Sequence, residues 1–295
     1  MQKFLPEKGY GAWYIAIATI IIDAVLSVVL KFSNSYEIAL VLQVFFVVFN
    51  LYQLYYLFMY LSINYVVENE ELKIISLFGM KKVSIPFSEI KCYKTFSGKI
   101  KGIKLSGYGA DNFNIGRSVI EKTGTTYMYV TNSKNIVYIN TNGMNYGLSP
   151  KDIDKFLQCL GINEVCETNY EYRTVKHINL FKDKRFAVPF AICTILIGII
   201  TIYPILRYLN HTIPAVMPMS FDSKFQPISF GTGKQFAFKQ MTLGLLNLAI
   251  LFCMYYASVF IARYDKKAVY KYIYVALILS VIFIIVQGKI FLTFR

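Results

Sequence analysis

The chain has 295 residues, of which 56% are hydrophobic, 17% aromatic and only 16% charged, yet its formal charge is +14. Ordinary soluble domains carry about 25% charged residues, so this composition excludes a disordered chain, a disulfide-rich miniprotein and an ordinary cytosolic enzyme. Apolar bulk with excess Lys and Arg fits membrane spans with basic flanks, and the hydropathy argues against a nucleic-acid binder.

Crossing a bilayer takes about 20 mostly apolar residues, and five stretches are candidates. The first covers residues 12–30 and is interrupted only by Asp23. Its length exceeds the usual signal-peptide core of about 7–15 residues, so it reads as a retained anchor with Trp13 and Tyr14 near the headgroups. The second, 38–63, carries no charge but contains Gln43, Asn50 and Gln53. A carboxylate near mid-bilayer costs about 2.5–3.5 kcal/mol, so Asp23 is expected to face protein or water. Asn50 lies at a matching depth on the antiparallel second span, with Gln43 and Gln53 as alternative partners. The plainer role is a hydrogen bond that holds the helical hairpin. The sharper role is a proton- or ligand-sensing carboxylate.

Residues 64–162 have a different texture. Strand-like runs at 72–78 and 82–85 flank Gly79-Met80, and further runs follow at 92–95, 125–130, 136–140 and 146–148, spaced by Gly-, Asn- and Ser-containing turns. The period then changes. Ser149 is the expected N-cap, with Pro150 first in the helix, an apolar stripe at Ile153, Phe156, Leu157 and Leu160, and Gly161 as the stop. Strands followed by one helix predict a small barrel or sandwich capped by that helix. Lys91, Lys94, Lys99, Lys101 and Lys104 cluster near a Gly-rich turn. They are candidates for anionic headgroups, each worth about 1 kcal/mol near a membrane surface, or they form a solvated strand face.

A basic linker at 163–185 leads to a third span at 186–206, which contains Pro189 and Pro204. The 208–240 segment that follows is long for a connection and rich in Met and Phe. It suits a lid at the membrane surface, a site for an amphipathic peptide, or packing onto helix ends. The fourth and fifth spans cover 241–262 and 270–287. Counting Lys and Arg on alternate sides gives 24 with the N-terminus and central domain and 7 opposite. The N-terminus and domain are therefore expected in the cytoplasm and the C-terminus outside, in a multi-pass membrane protein.

Two family resemblances add to this reading. Residues 64–162 resemble a bacterial pleckstrin-homology-like domain in Tyr65-Val66-Val67-Glu68, Ile85-Pro86-Phe87-Ser88-Glu89-Ile90 and Tyr146-Gly147-Leu148-Ser149-Pro150. That likeness implies a seven-stranded bent sheet with a C-terminal helix and no particular activity. The segment with Pro218, Ser220, Phe221, Asp222, Pro227 and Lys234 resembles a Pro-x-His-Phe element of Gram-positive toxin-immunity membrane proteins, with Ser220 in place of the His.

The expected architecture is an α-helical membrane protein of about five transmembrane helices with an inserted α+β pleckstrin-homology-like domain. Residues 1–63 form a two-helix hairpin, 64–162 the domain, 163–185 the linker and 186–295 a three-helix region. His177 and His211 fall on opposite sides of the membrane, and no phosphate loop, zinc-protease motif or dinucleotide fingerprint is present. No catalytic constellation, metal or cofactor is expected, and the chain does not read as an enzyme. The first functional reading is an immunity or envelope-stress protein that meets a membrane-active peptide or toxin. The alternative is a membrane-anchored regulatory scaffold whose domain binds a cytosolic partner or anionic lipid. The expected partners are the lipid bilayer with one of these, not nucleic acid, and a homo-oligomer is left open.

Overall fold

A computed structural model describes residues 2–33, 36–121, 123–142, 144–161, 179–222, 224–264 and 268–294. Most of the expected 163–185 linker lies outside the described residues. The chain divides into two compact units, Met1–Asp23 with Val48–Thr174 and Ala24–Val47 with Val175–Arg295.

The first unit opens with β1 (Gln2–Phe4). The helices α1 (Gly11–Phe32) and α2 (Tyr36–Ser62) follow, each contributing to both units. Next come β2 (Asn64–Glu68), β3 (Glu71–Ser76), β4 (Lys81–Pro86), β5 (Ile90–Phe96) and β6 (Gly102–Ala110). They are succeeded by β7 (Phe113–Ile120), β8 (Gly124–Val130), β9 (Ile136–Thr141), β10 (Asn145–Leu148) and α3 (Ile153–Leu160). Two sheets result, ordered β1-β2-β3-β4 and β5-β9-β10-β8-β7-β6. All neighbouring pairs are antiparallel except β10 with β8. The implied seven-stranded sheet is thus replaced by a more divided arrangement. Pro86 cannot extend the ladder, and a 3₁₀ turn at Phe87–Glu89 delivers β4 and β5 to different sheets.

One core joins both sheets and the helix. Alternation along β3 turns Leu72 and Ile74 inward, where they share a cluster with Tyr65, Ile115, Ile139, Leu148 and Phe156. The Phe156 ring stands edge-on to Phe4 at 5.2 Å, so β1 is pinned by packing as well as by its ladder with β2. The expected helix and its Gly161 stop, at φ 62°, are both present, but Ser149 is not the N-cap. Asp152 takes that place, accepting from the Lys155 amide at 3.2 Å, and Ser149 is buried in a separate hydrogen-bond network.

The β6–β7 hairpin is sharply bent. Gly107 and Gly116 face each other across the ladder with φ of 108° and 125°, beside a bulge between Lys104 and Ser106. The fold-back brings the Asp111 carbonyl to the Ile100 amide at 2.9 Å and buries Phe113.

The second unit contains α4 (Lys184–Leu209), β11 (Val216–Phe221), β12 (Pro227–Thr232), α5 (Gly233–Ala262) and α6 (Tyr270–Thr293). α4, α5 and α6 pack together through small and polar contacts. Gly244 on α5 meets Thr201, the Cys193 and Ser280 side chains lie 3.2 Å apart, and Gln287 donates to the Ile200 carbonyl at 2.9 Å. Close approach at small residues and side-chain hydrogen bonds are what lipid-embedded helices use, since apolar surface alone gives no preference for protein over lipid tails. Asp183 caps α4, and Pro189 and Pro204 both lie buried within that helix. All five helices at the expected stretches are long and apolar enough to cross a membrane.

Candidate functional site

Asp23 and Asn50 meet directly: the Asn50 amide donates to Asp23 Oδ1 at 2.9 Å, both side chains being half-buried. Gln53 is buried and faces the Tyr108 hydroxyl of β6, while Gln43 lies exposed on α2, away from this pair. Asn50→Leu should lower the stability of the full chain in lipid nanodiscs by about 1 kcal/mol, the scale of one interhelical hydrogen bond. Asp23→Asn, which preserves a donor–acceptor pair, should cost less in the same thermal melt. A loss of biological response with unchanged melting would instead mark the carboxylate as a sensor.

Beyond this pair, the last turns of α2 carry tyrosines that tie the helix to the β-domain. The Tyr52 hydroxyl donates to the Gly107 carbonyl at 3.0 Å. Tyr60 donates to the Thr131 carbonyl at 3.0 Å and accepts from the Gly11 amide at 3.1 Å, joining α1, α2 and the β8–β9 connection at one hydroxyl. Tyr14 of α1 packs edge-on against Phe113 at 5.7 Å. Within the first unit, the start of α1 and the last turns of α2 therefore share one bonded junction with the domain.

The five lysines border different features of the domain. Lys99 pairs loosely with Asp111 at 3.7 Å, Lys91 projects from β5, and Lys104 borders a hollow with Asn114. Partial burial lowers the Lys104 pKa, and Asp111 opposes that shift. Lys94 and Lys101 line a different cavity of about 310 Å³.

The Pro-x-Ser-Phe segment builds a hairpin. Pro218 is buried and the Ser220 and Ser229 hydroxyls lie 2.5 Å apart. Phe221 stacks on Phe225 with centroids 4.6 Å apart. Asp222 Oδ1 closes the turn by accepting from the Lys224 and Gln226 amides at 2.9 and 2.7 Å. Pro227 opens β12 opposite Phe221, and Lys234 stands exposed on the first turn of α5. Met217 and Phe221 join Phe236, Ile290 and Phe291 in one buried cluster, so this hairpin packs on helix ends.

The charged centre of this region was not evident from the sequence. Lys239 lies 3.5 Å from the buried Glu37 carboxylate and also donates to the Met219 carbonyl. Lys289 sits 3.9 Å from the Phe225 ring centroid and 5.1 Å from that of Tyr36. Glu37→Gln or Lys239→Met alone should each cost about 1–3 kcal/mol, because each leaves a partly desolvated charge without its counter-charge. The double variant should cost less than the two together, a coupling that a thermal double-mutant cycle would read.

Residues 63–162 match the family described as Bacterial PH domain. A protein of Clostridium acetobutylicum, itself uncharacterized, is 38% identical over 294 residues, covering 100% of this chain and 99% of its own. The chain belongs to this bacterial PH-domain family. No solved structure matches it. The PH-domain match begins after α2, yet the sheet it describes is extended here by β1, from the other side of both helices. The Tyr52 and Tyr60 bonds likewise link matched and unmatched parts of this PH-domain protein.

Proposed function

We propose that this bacterial PH-domain protein is a non-enzymatic, multi-pass protein of the cytoplasmic membrane that serves as a regulatory scaffold. Its domain faces the cytoplasm and offers the exposed residues of β5 and β6 to a cytosolic partner or anionic lipid. The C-terminus lies outside. The observation that carries this reading is the tyrosine junction. A domain held to α1 and α2 by Tyr52, Tyr60 and the Gly11 amide moves with them, so an event at the helices reaches the domain face. The charge asymmetry of 24 against 7 supports the orientation. Helix directions within the second unit agree with it, since the starts of α2 and α5 and the end of α6 gather at the β11–β12 hairpin.

The immunity reading stands second. Val216, Ile228 and Phe230 remain exposed on the β11–β12 hairpin and suit contact with an amphipathic peptide, although Met217 and Phe221 are already buried against the helices. One experiment separates the two: photo-crosslinking residues placed in living cells at Lys91 and Ile103, and at Ile228 and Phe230. Adducts with a cytosolic protein at the first two positions support the scaffold. Adducts only at the second two, with an added membrane-active peptide, support immunity and overturn it.

A further inference from the structure

The β-domain holds a cavity that neither reading uses. It has a volume of about 310 Å³ and lies between Lys94 and Phe96 of β5, Ile120 at the end of β7, and Tyr138 of β9. At its floor Tyr138 is only 3% exposed, and its hydroxyl has no hydrogen-bond partner. A buried polar group left unpaired costs about 1–3 kcal/mol, and native interiors pair the great majority of such groups. The ring leans over Gly147, its partner on β10, where an added methyl would meet Tyr138 at 3.2 Å and Met128 at 2.7 Å. Lys94 lies directly opposite Tyr138 in the β5–β9 ladder, so both side chains rise from the same face. Phe96 is two residues further on that face, its ring 6.5 Å from that of Tyr138.

We propose that this cavity binds a small amphipathic monoanion, a carboxylate or phosphate diester with a short apolar tail. The tail lies against Phe96 and Ile120, and the head is taken by Lys94, Lys101 and the Tyr138 hydroxyl. Burial holds the Tyr138 pKa above its ordinary value, so the phenol keeps its proton and donates it to the anion. Glu121 also lines the cavity, so among the described lining residues one net positive charge remains, which suits a monoanion. At the roughly 30 Å³ that a liquid water occupies, the space admits about ten non-hydrogen atoms, the size of octanoate. The site goes beyond the scaffold reading and does not depend on it.

The test is equilibrium dialysis of labelled octanoate against the full chain in phosphatidylcholine nanodiscs, with empty nanodiscs as the partition control. One saturable site per chain is expected, weakened about tenfold or more by Lys94→Gln with Lys101→Gln and by Tyr138→Phe. Without octanoate, Tyr138→Phe should melt no lower than the parent, because its hydroxyl makes no internal hydrogen bond to lose. Octylamine should not compete. Competition by phosphatidylglycerol nanodiscs would name a lipid headgroup as the source of the anion, and unchanged binding would name a soluble one. No saturable binding above empty nanodiscs, equal binding of octylamine, or full affinity in Tyr138→Phe would each overturn the proposal.

Discussion

Gly107→Ala is expected to destabilise the β-domain by about 3 kcal/mol or more, the sum of two independent costs. At φ 108° an L side chain occupies a backbone region that only glycine visits freely, worth about 1–3 kcal/mol. The added methyl would also strike the Ile115 carbonyl oxygen and the Gly116 Cα across the ladder, and backbone cannot swing aside as a flexible side chain would. Gly116→Ala should behave alike, since it meets the Ser106 carbonyl from the other strand. Gly79→Ala separates the two costs: φ is 95° there, but nothing lies within 4 Å of the new methyl. It should therefore lose about 1 kcal/mol or a little more. Hydrogen exchange of the intact chain checks this, with amides of residues 102–120 losing protection in the Gly107 and Gly116 variants and retaining it in the Gly79 variant. Because the bend buries Phe113 against Tyr14 and Tyr60, the same two variants should loosen the junction between helices and domain.

Tyr65→Phe is the second large effect, about 2–4 kcal/mol for removing one oxygen atom. Tyr65 is fully buried, and its hydroxyl donates to the Tyr129 carbonyl at 2.7 Å while accepting from the Ser149 amide at 3.1 Å. Phenylalanine fills the same space but strands both backbone groups, each at about 1–3 kcal/mol. The damage spreads, because Ser149 Oγ accepts from the Thr131 amide at 2.9 Å and Thr131 Oγ1 donates to the Glu7 carbonyl at 2.7 Å. Tyr52→Phe, which removes an exposed bond to Gly107, should cost well under half as much in the same thermal melt. Alkali gives an independent readout. Burial pushes the Tyr65 hydroxyl up to about 12 from its ordinary value near 10. Above about pH 10 the unfolded chain releases this proton and the folded chain keeps it. Stability is thus unaffected below about pH 10 and falls by about 1 kcal/mol per pH unit between 10 and 12. Tyr65→Phe should lose that share of the alkaline slope.

What could be read from the sequence was whatever short-range pattern and span geometry decide. Asp23 and Asn50 were legible as partners because two antiparallel spans joined by a short turn fix relative depth to within about a helical turn. The helix after residue 150 was legible from its apolar stripe and Gly161, but its cap was not. Ser149 has a good N-cap pattern and instead serves Tyr65 and Thr131, partners that only the folded sheet brings near. The seven strands that the resemblance implies are not what forms, because the turn after Pro86 delivers β4 and β5 to different sheets. Glu37 and Lys239 are 202 positions apart, and each looks alone like ordinary flanking charge. Tyr138 sits in a continuous apolar run, where nothing distinguishes a phenol with a satisfied hydroxyl from one without.

The N-terminal strand also bears on the order in which the chain assembles. Besides the β1–β2 ladder, the Lys151 amide donates to the Leu5 carbonyl at 3.1 Å and the Glu7 amide to the Ser149 carbonyl at 2.7 Å. These partners are separated by more than 140 positions, with both long helices between them. During synthesis the Leu5 and Glu7 bonds must wait until residues 149–151 have been made, although the β1–β2 ladder needs only the chain through residue 67. The clasp therefore closes only after the last strand of the domain has been made. A fragment cut at residue 63 would lack this edge strand and expose the rim of β2, making the helices a prerequisite of the finished domain.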